Sequence, residues 1–115
     1  PEEQKLVRSD IPIENCVMIV VLQEVSMYET LRFDEYVPQN LYFDAGAAAD
    51  HICLMAHALG LGSLWFTFFD KGPMREILGI ESDKIPLALI CLGKAADEPA
   101  QTGRKGLEKK VTFMR

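Results

Sequence analysis

Two short, unbroken apolar runs limit what this chain can fold into. Cys16 to Leu22 and Ile85 to Leu92 carry almost no polar residue, and the first is dominated by Val and Ile. Runs of this length and composition read as strands buried on both faces, because a half-exposed strand would alternate. They are too short to favour a buried helix. Both also fall far short of the roughly 20 residues needed to cross a bilayer. Two such strands cannot form a sheet covered on both faces. The expectation is therefore that at least a third strand, and covering helices, come from elsewhere.

Between these runs lies the clearest helix signal. Asp44 is a good N-cap, and Ala45 to Leu59 follows without a proline until Gly60 and Gly62. Either glycine can close the helix in the left-handed conformation. At about 1.5 Å per residue the predicted helix is roughly 24 Å long. It is apolar nearly all round and rich in alanine, so it is expected to be central, buried and open to close neighbours, including a second subunit. Ahead of it, Gln23 to Phe43 reads as an excursion with one short helix and a loop, set with Tyr28, Phe33, Tyr36 and Tyr42. Such an excursion can shape a substrate pocket.

After the helix, Ser63 to Phe69 is aromatic-rich. Pro73 is placed to open a short helix ended by Gly79, and Gly93 to Lys105 is a polar connection. Leu107 to Phe113 suits a short terminal strand, and residues 1–10 a short polar helix.

Charge and cysteine use exclude several functions. A net charge of -5 disfavours a general nucleic-acid surface, which needs clustered cations. The one basic cluster, Arg104, Lys105, Lys109 and Lys110, is short enough to serve a single anionic group or simply to be solvated. Cys16, Cys53 and Cys91 all sit in apolar segments, as buried thiols in a reducing, cytoplasmic compartment would. His51 and His57 are six apart and so do not share a helix face as ligands would; packing or interface positions suit them better. No membrane segment and no dinucleotide-binding glycine loop is expected, since Gly60-Leu61-Gly62 follows a helix instead of opening one.

Several segments, in order, resemble the nitroreductase family of FMN enzymes. They are Asp44 through Trp65, then Phe69-Asp70, Arg75 to Ile80, Ile85 to Gly93, Glu98-Pro99 and Arg104 to Val111. Each is weak alone; their order and spacing are specific. The resemblance implies an α+β fold, the nitroreductase-like α/β/α sandwich, here as a partial sheet with a long buried central helix. It further implies a homodimer with FMN at the subunit interface, taking hydride from NAD(P)H and passing electrons to a nitro, quinone or similar small-molecule acceptor. On this reading residues 1–115 are a single partial domain, the C-terminal portion of the family's subunit. The family's Arg- and Ser-rich FMN-binding segment is not among them, so a further segment or a partner chain is expected to supply it. The isolated chain is expected to be inactive.

Carried onto this sequence, the resemblance assigns Arg104 to the flavin phosphate, with Lys105 as companion. It sets the backbone of Trp65, Phe66 and Thr67 against the flavin ring. Thr67 and Phe68 stand where many relatives have small residues, often glycine. A non-catalytic assembly module that has lost FMN, or a different flavin-family oxidative chemistry, are the alternatives.

Overall fold

The computed structural model describes residues 15–24 and 37–114. The expected helix within residues 1–10, and Tyr28, Phe33 and Tyr36 of the excursion, lie outside them. The described elements run in the order β1 (Val17–Glu24), α1 (Val37–Ala58), β2 (Gly62–Phe66), α2 (Lys71–Leu78) and β3 (Lys84–Gly93), followed by a short 3₁₀ turn at Leu107–Lys109. The strands form one antiparallel sheet in the order β1-β3-β2. The fold is the expected α+β arrangement.

Both apolar runs are strands, and the difference between them is position. β3 is central and continuously buried from Pro86 to Cys91. β1 is at an edge among the described strands, and its Val17 stays 66% exposed. The expectation that a third strand must come from outside is corrected: Gly62–Phe66 supplies it. This five-residue strand pairs with Leu89 to Gly93.

Pro86 has no N–H to donate, yet it lies deep in the central strand. It does so where the β1 pairing shifts register: Val21 faces Ala88 but Leu22 faces Pro86, leaving Leu87 as the extra residue of a bulge. Proline in a sheet is confined to such irregularities or to edges. β2 does not extend to Pro86, so no β2 partner is deprived.

Helix α1 starts at Val37, seven residues before the expected Asp44 cap. The aromatic residues of the excursion's end are helical, and Pro38 falls in the first turn, where its missing N–H is no loss. Asp44 is therefore interior. At the other end the expected glycine cap is present. Gly60 has φ 75°, the Gly60 N–H donates to His57 O at 2.9 Å and the Leu61 N–H to Ala56 O at 2.9 Å. These two bonds are the Schellman pattern, which turns the chain directly into β2.

α1 buries a stripe of Leu41, Ala45, Ala49 and Ala56 against one face of the sheet, where Leu41 and Ala45 meet Leu87, Val21 and Ile85. Alanine at the crossing allows close approach, and Gly46 faces the Trp65 ring at van der Waals distance. The helix is thus buried along one stripe only. Tyr42, Phe43, Leu54, Met55 and Leu59 remain exposed, as does His51, which sits 2.7 Å from Ala47 O through Nδ1. The packing expected for the two histidines is not found within this chain, because both are exposed.

On the other sheet face, Phe66, Phe69, Met74, Leu89 and Cys91 form a second core cluster. Helix α2 contributes Met74 to it and ends at Gly79, φ 62°, as expected. Arg75 then ties the helix to β3: its guanidinium donates to Glu81 O at 2.9 Å and to Lys84 O. Glu81 and Lys84 form an ion pair beside it, which holds the Glu81 carboxyl below its usual range and the Lys84 ammonium above its own. The expected strand from Leu107 to Phe113 is corrected to the 3₁₀ turn and irregular chain. Leu107 and Phe113 have no described strand to pair with and are exposed, at 65% and 79%.

Ile90 is fully buried between Ile19 and Trp65 on the neighbouring strands. Ile90→Ala removes contacts that the flanking ladders cannot close in to replace. It should cost about 2–5 kcal/mol, measured by chemical denaturation of the purified protein.

Candidate functional site

The five residues singled out by sequence fall on two segments. Trp65 and Phe66 end β2, and Thr67 follows where the ladder pairing stops. Alternation sends their side chains apart. Phe66 turns into the second core cluster and is 8% exposed, while Trp65 turns toward α1 and stays 42% exposed. Thr67 is exposed and Phe68 is 80% exposed. The strand end therefore presents an aromatic surface, with Phe66 acting as its anchor.

Arg104 and Lys105 lie in the exposed connection after β3. Arg104 Nη1 donates to the Thr102 hydroxyl at 2.7 Å and to Thr102 O at 3.2 Å. These bonds are local, and they orient the guanidinium on the surface. The structure brings Trp65, Phe66 and Thr67 together by chain continuity, and Arg104 and Lys105 likewise. It describes no bond between the two groups.

A concavity of about 400 Å³ opens where β2 begins and β3 ends, lined by Cys16, Gly62, Leu64, Cys91 and Gly93 and by the chain from Lys94 to Pro99. None of the five candidate residues lines it. Burial, and secondarily Cys16, pushes the Cys91 thiol up from its ordinary pKa. Sequence reasoning marked both cysteines as buried but did not place them together. Only the strand register, Met18 opposite Cys91 and so Cys16 opposite Gly93, reveals that juxtaposition. Among the described residues no three His, Cys, Asp or Glu side chains come together, and no described helix is long and apolar enough to cross a membrane.

A sequence profile of the nitroreductase family matches residues 2–94. This chain belongs to the nitroreductase family. An Archaeoglobus fulgidus protein that carries the name NADH dehydrogenase/NAD(P)H nitroreductase is 34% identical over 59 residues, covering 48% of this chain and 34% of that protein. A nitroreductase family protein from Streptococcus pneumoniae superposes with TM-score 0.68 at 26% identity, over 76% of this chain and 44% of its own. An FMN-dependent nitroreductase from Clostridium difficile superposes with TM-score 0.64 at 26% identity, over 84% of this chain and 56% of its own. The chain thus spans about a third of the curated relative and about half of the two structures.

Burial separates anchoring from surface roles at the strand end. Phe66→Ala should lower stability by about 3–5 kcal/mol. Thr67→Ala should stay within about 0.5 kcal/mol of the parent. Paired denaturation curves would show the contrast.

Proposed function

We propose that this protein is part of an FMN-dependent oxidoreductase that moves electrons from NAD(P)H to a nitro, quinone or similar small-molecule acceptor. The observation that carries this reading is the family match over residues 2–94, which spans β2 and the Trp65–Thr67 strand end. The flavin-named relative from Clostridium difficile supports it.

The side chains present suit such a cofactor. An exposed aromatic ring at Trp65 and an exposed guanidinium at Arg104 are an apolar platform and a cation, the two things a flavin with a phosphate tail asks of a protein. When bound, FMN supplies the two-electron hydride chemistry. Arg104 would hold the phosphate by charge-assisted hydrogen bonds, and Lys105 would add a second positive charge. The main chain from Trp65 to Thr67 would lie along the ring and offer it N–H donors, while buried Phe66 keeps that backbone in place. No side-chain acid or base is required of this chain for hydride transfer.

The assembly belongs to the same proposal. Leu54 and Met55 on α1, and Leu59 just after its end, are 61%, 62% and 69% exposed. We infer that a second copy covers this face, with the flavin at the interface. The rest of the flavin pocket comes from sequence beyond these 115 residues, on the same polypeptide or on a partner chain. The chain covers only 34%, 44% and 56% of the three relatives compared above, which supports this.

Phe68 favours a second reading. It is bulky and 80% exposed where the family resemblance leads one to expect a small residue. A non-catalytic assembly module that keeps α1 for association and no longer holds flavin fits that substitution.

Native material should be yellow, with flavin absorption bands and FMN in a denatured extract; colourless material that fails to take up added FMN selects the assembly module. A hydrogen bond to a charged group contributes about 1.5–3 kcal/mol. Arg104→Ala should therefore weaken FMN binding roughly 10- to 100-fold, read from quenching of Trp65, the chain's single tryptophan. Unchanged affinity would remove Arg104 from the site. Separately, Met55→Glu should shift the protein toward smaller species in light scattering, because a carboxylate is costly in a dry interface. No change in size would displace α1 from the interface.

A further inference from the structure

Apart from the flavin reading, the reactive side chains of this molecule meet as sulfur atoms beside the concavity at the start of β2. Cys16 and Cys91 both line it. In the β1–β3 register Met18 stands directly opposite Cys91, and Cys16, one step before β1, falls opposite Gly93. Residues two apart on a strand share a face, and so do directly opposed residues. Cys16, Met18 and Cys91 therefore stand on one sheet face, and Cys16 and Met18 both pack against the core cluster that contains Cys91. Gly93 makes room for this. Its missing Cβ would sit 3.3 Å from Cys16 Sγ, tighter than an ordinary contact, so the thiol occupies space that any other residue would contest.

The relation between the two cysteines is diagonal across the ladder. Diagonal partners in an antiparallel pair have Cα atoms about 7–8 Å apart. A disulfide needs them within about 7 Å and closes the sulfurs to about 2 Å. An ion held between two thiolates, each bond about 2.3 Å as in thiolate–zinc sites, bridges up to about 4.6 Å and suits the wider spacing. The donor set then selects the ion. Two thiolates and a thioether are soft ligands, and zinc prefers four nitrogen, sulfur or oxygen donors that are not gathered here. A low-coordinate, soft, monovalent ion fits.

We propose that Cys16, Met18 and Cys91 form a binding site for monovalent copper, at the opposite end of β2 from the strand end assigned to flavin. Binding replaces both thiol protons: one copper(I) ion and two thiols give a bis-thiolate complex of net charge -1 and two released protons. Met18 supplies a neutral third sulfur. Of the charged residues on the cavity wall, Lys94 opposes that net charge and Asp97 adds to it; both are exposed, so water screens them.

The test uses the purified protein under anaerobic conditions, with copper(I) supplied against bathocuproine disulfonate as competing chelator. One equivalent should transfer to the protein with release of two protons. Alkylation followed by peptide mass spectrometry should then find Cys16 and Cys91 protected and Cys53 still labelled. Loss of a direct ligand should exceed the 10- to 100-fold typical of outer-shell changes, so Cys16→Ser and Cys91→Ser should each weaken binding by at least about 100-fold. Met18→Leu, which keeps the packing, should weaken it roughly tenfold. The protection pattern is measured on the unaltered protein and holds even if a serine variant unfolds. No transfer from the chelator, protection of Cys53 in place of the pair, or full affinity in folded serine variants would each overturn the site.

Discussion

The hydrogen-bonded pairing of β3 on both edges is the constraint on which everything else rests. A strand as apolar as Pro86 to Cys91 cannot be left against water, and its backbone groups cannot be buried unpaired. β1 pairs along one edge of it, across the bulge, and β2 takes the other edge from Leu89 onward. Held in this way, β3 carries a core on each face. Leu87 joins the cluster under α1, and Leu89 and Cys91 join the one reached by Phe69 and Met74. The helices pack on these two clusters, and each ends in a left-handed glycine that returns the chain toward the sheet. A loss of contact at Ile90 is therefore felt by both neighbouring strands.

Much of this was legible from residue type alone. Val, Ile and Leu runs bounded by turns announced β1 and β3, and Gly60 and Gly79 announced the ends of both helices. What misled was context. Pro38 looks like a loop residue until the first turn of a helix is considered, so α1 appeared seven residues short. Leu107 to Phe113 has strand-forming residues but no described strand beside it, and propensity without a partner produces no ladder. Gly62–Phe66 shows the converse, since its aromatic residues find an edge at Leu89 to Gly93 and pair there. The candidate site divides in the same way. Trp65 and Arg104 could be singled out by family pattern, and their exposure is compatible with binding. The meeting of Cys16 with Cys91 depends on a register that no local window encodes, across more than seventy residues of chain.

The two ends of β2 present different chemistry. Its last residues expose an aromatic surface. Its first residues, Gly62 and Leu64, wall a cavity with sulfur in it. A short strand can serve both because it is held by β3 along its full length, so neither end needs its own support. Phe66 illustrates the division of labour. Its ring is committed to the core, which leaves only its backbone for any ligand.

The bulge at Leu87 makes the sheet self-indexing. On one side of it paired residue numbers add to 109, on the other to 108. Even-numbered residues of β3 therefore face α1 beyond the bulge, and Ile85 faces it before. A uniform ladder could slide by two residues and still keep its apolar side chains on their proper faces. This one cannot, because sliding would carry the bulge away from Pro86 and set a residue without an N–H in the middle of a regular ladder. The imino acid and the extra residue act together as a detent, and β1 has one seat.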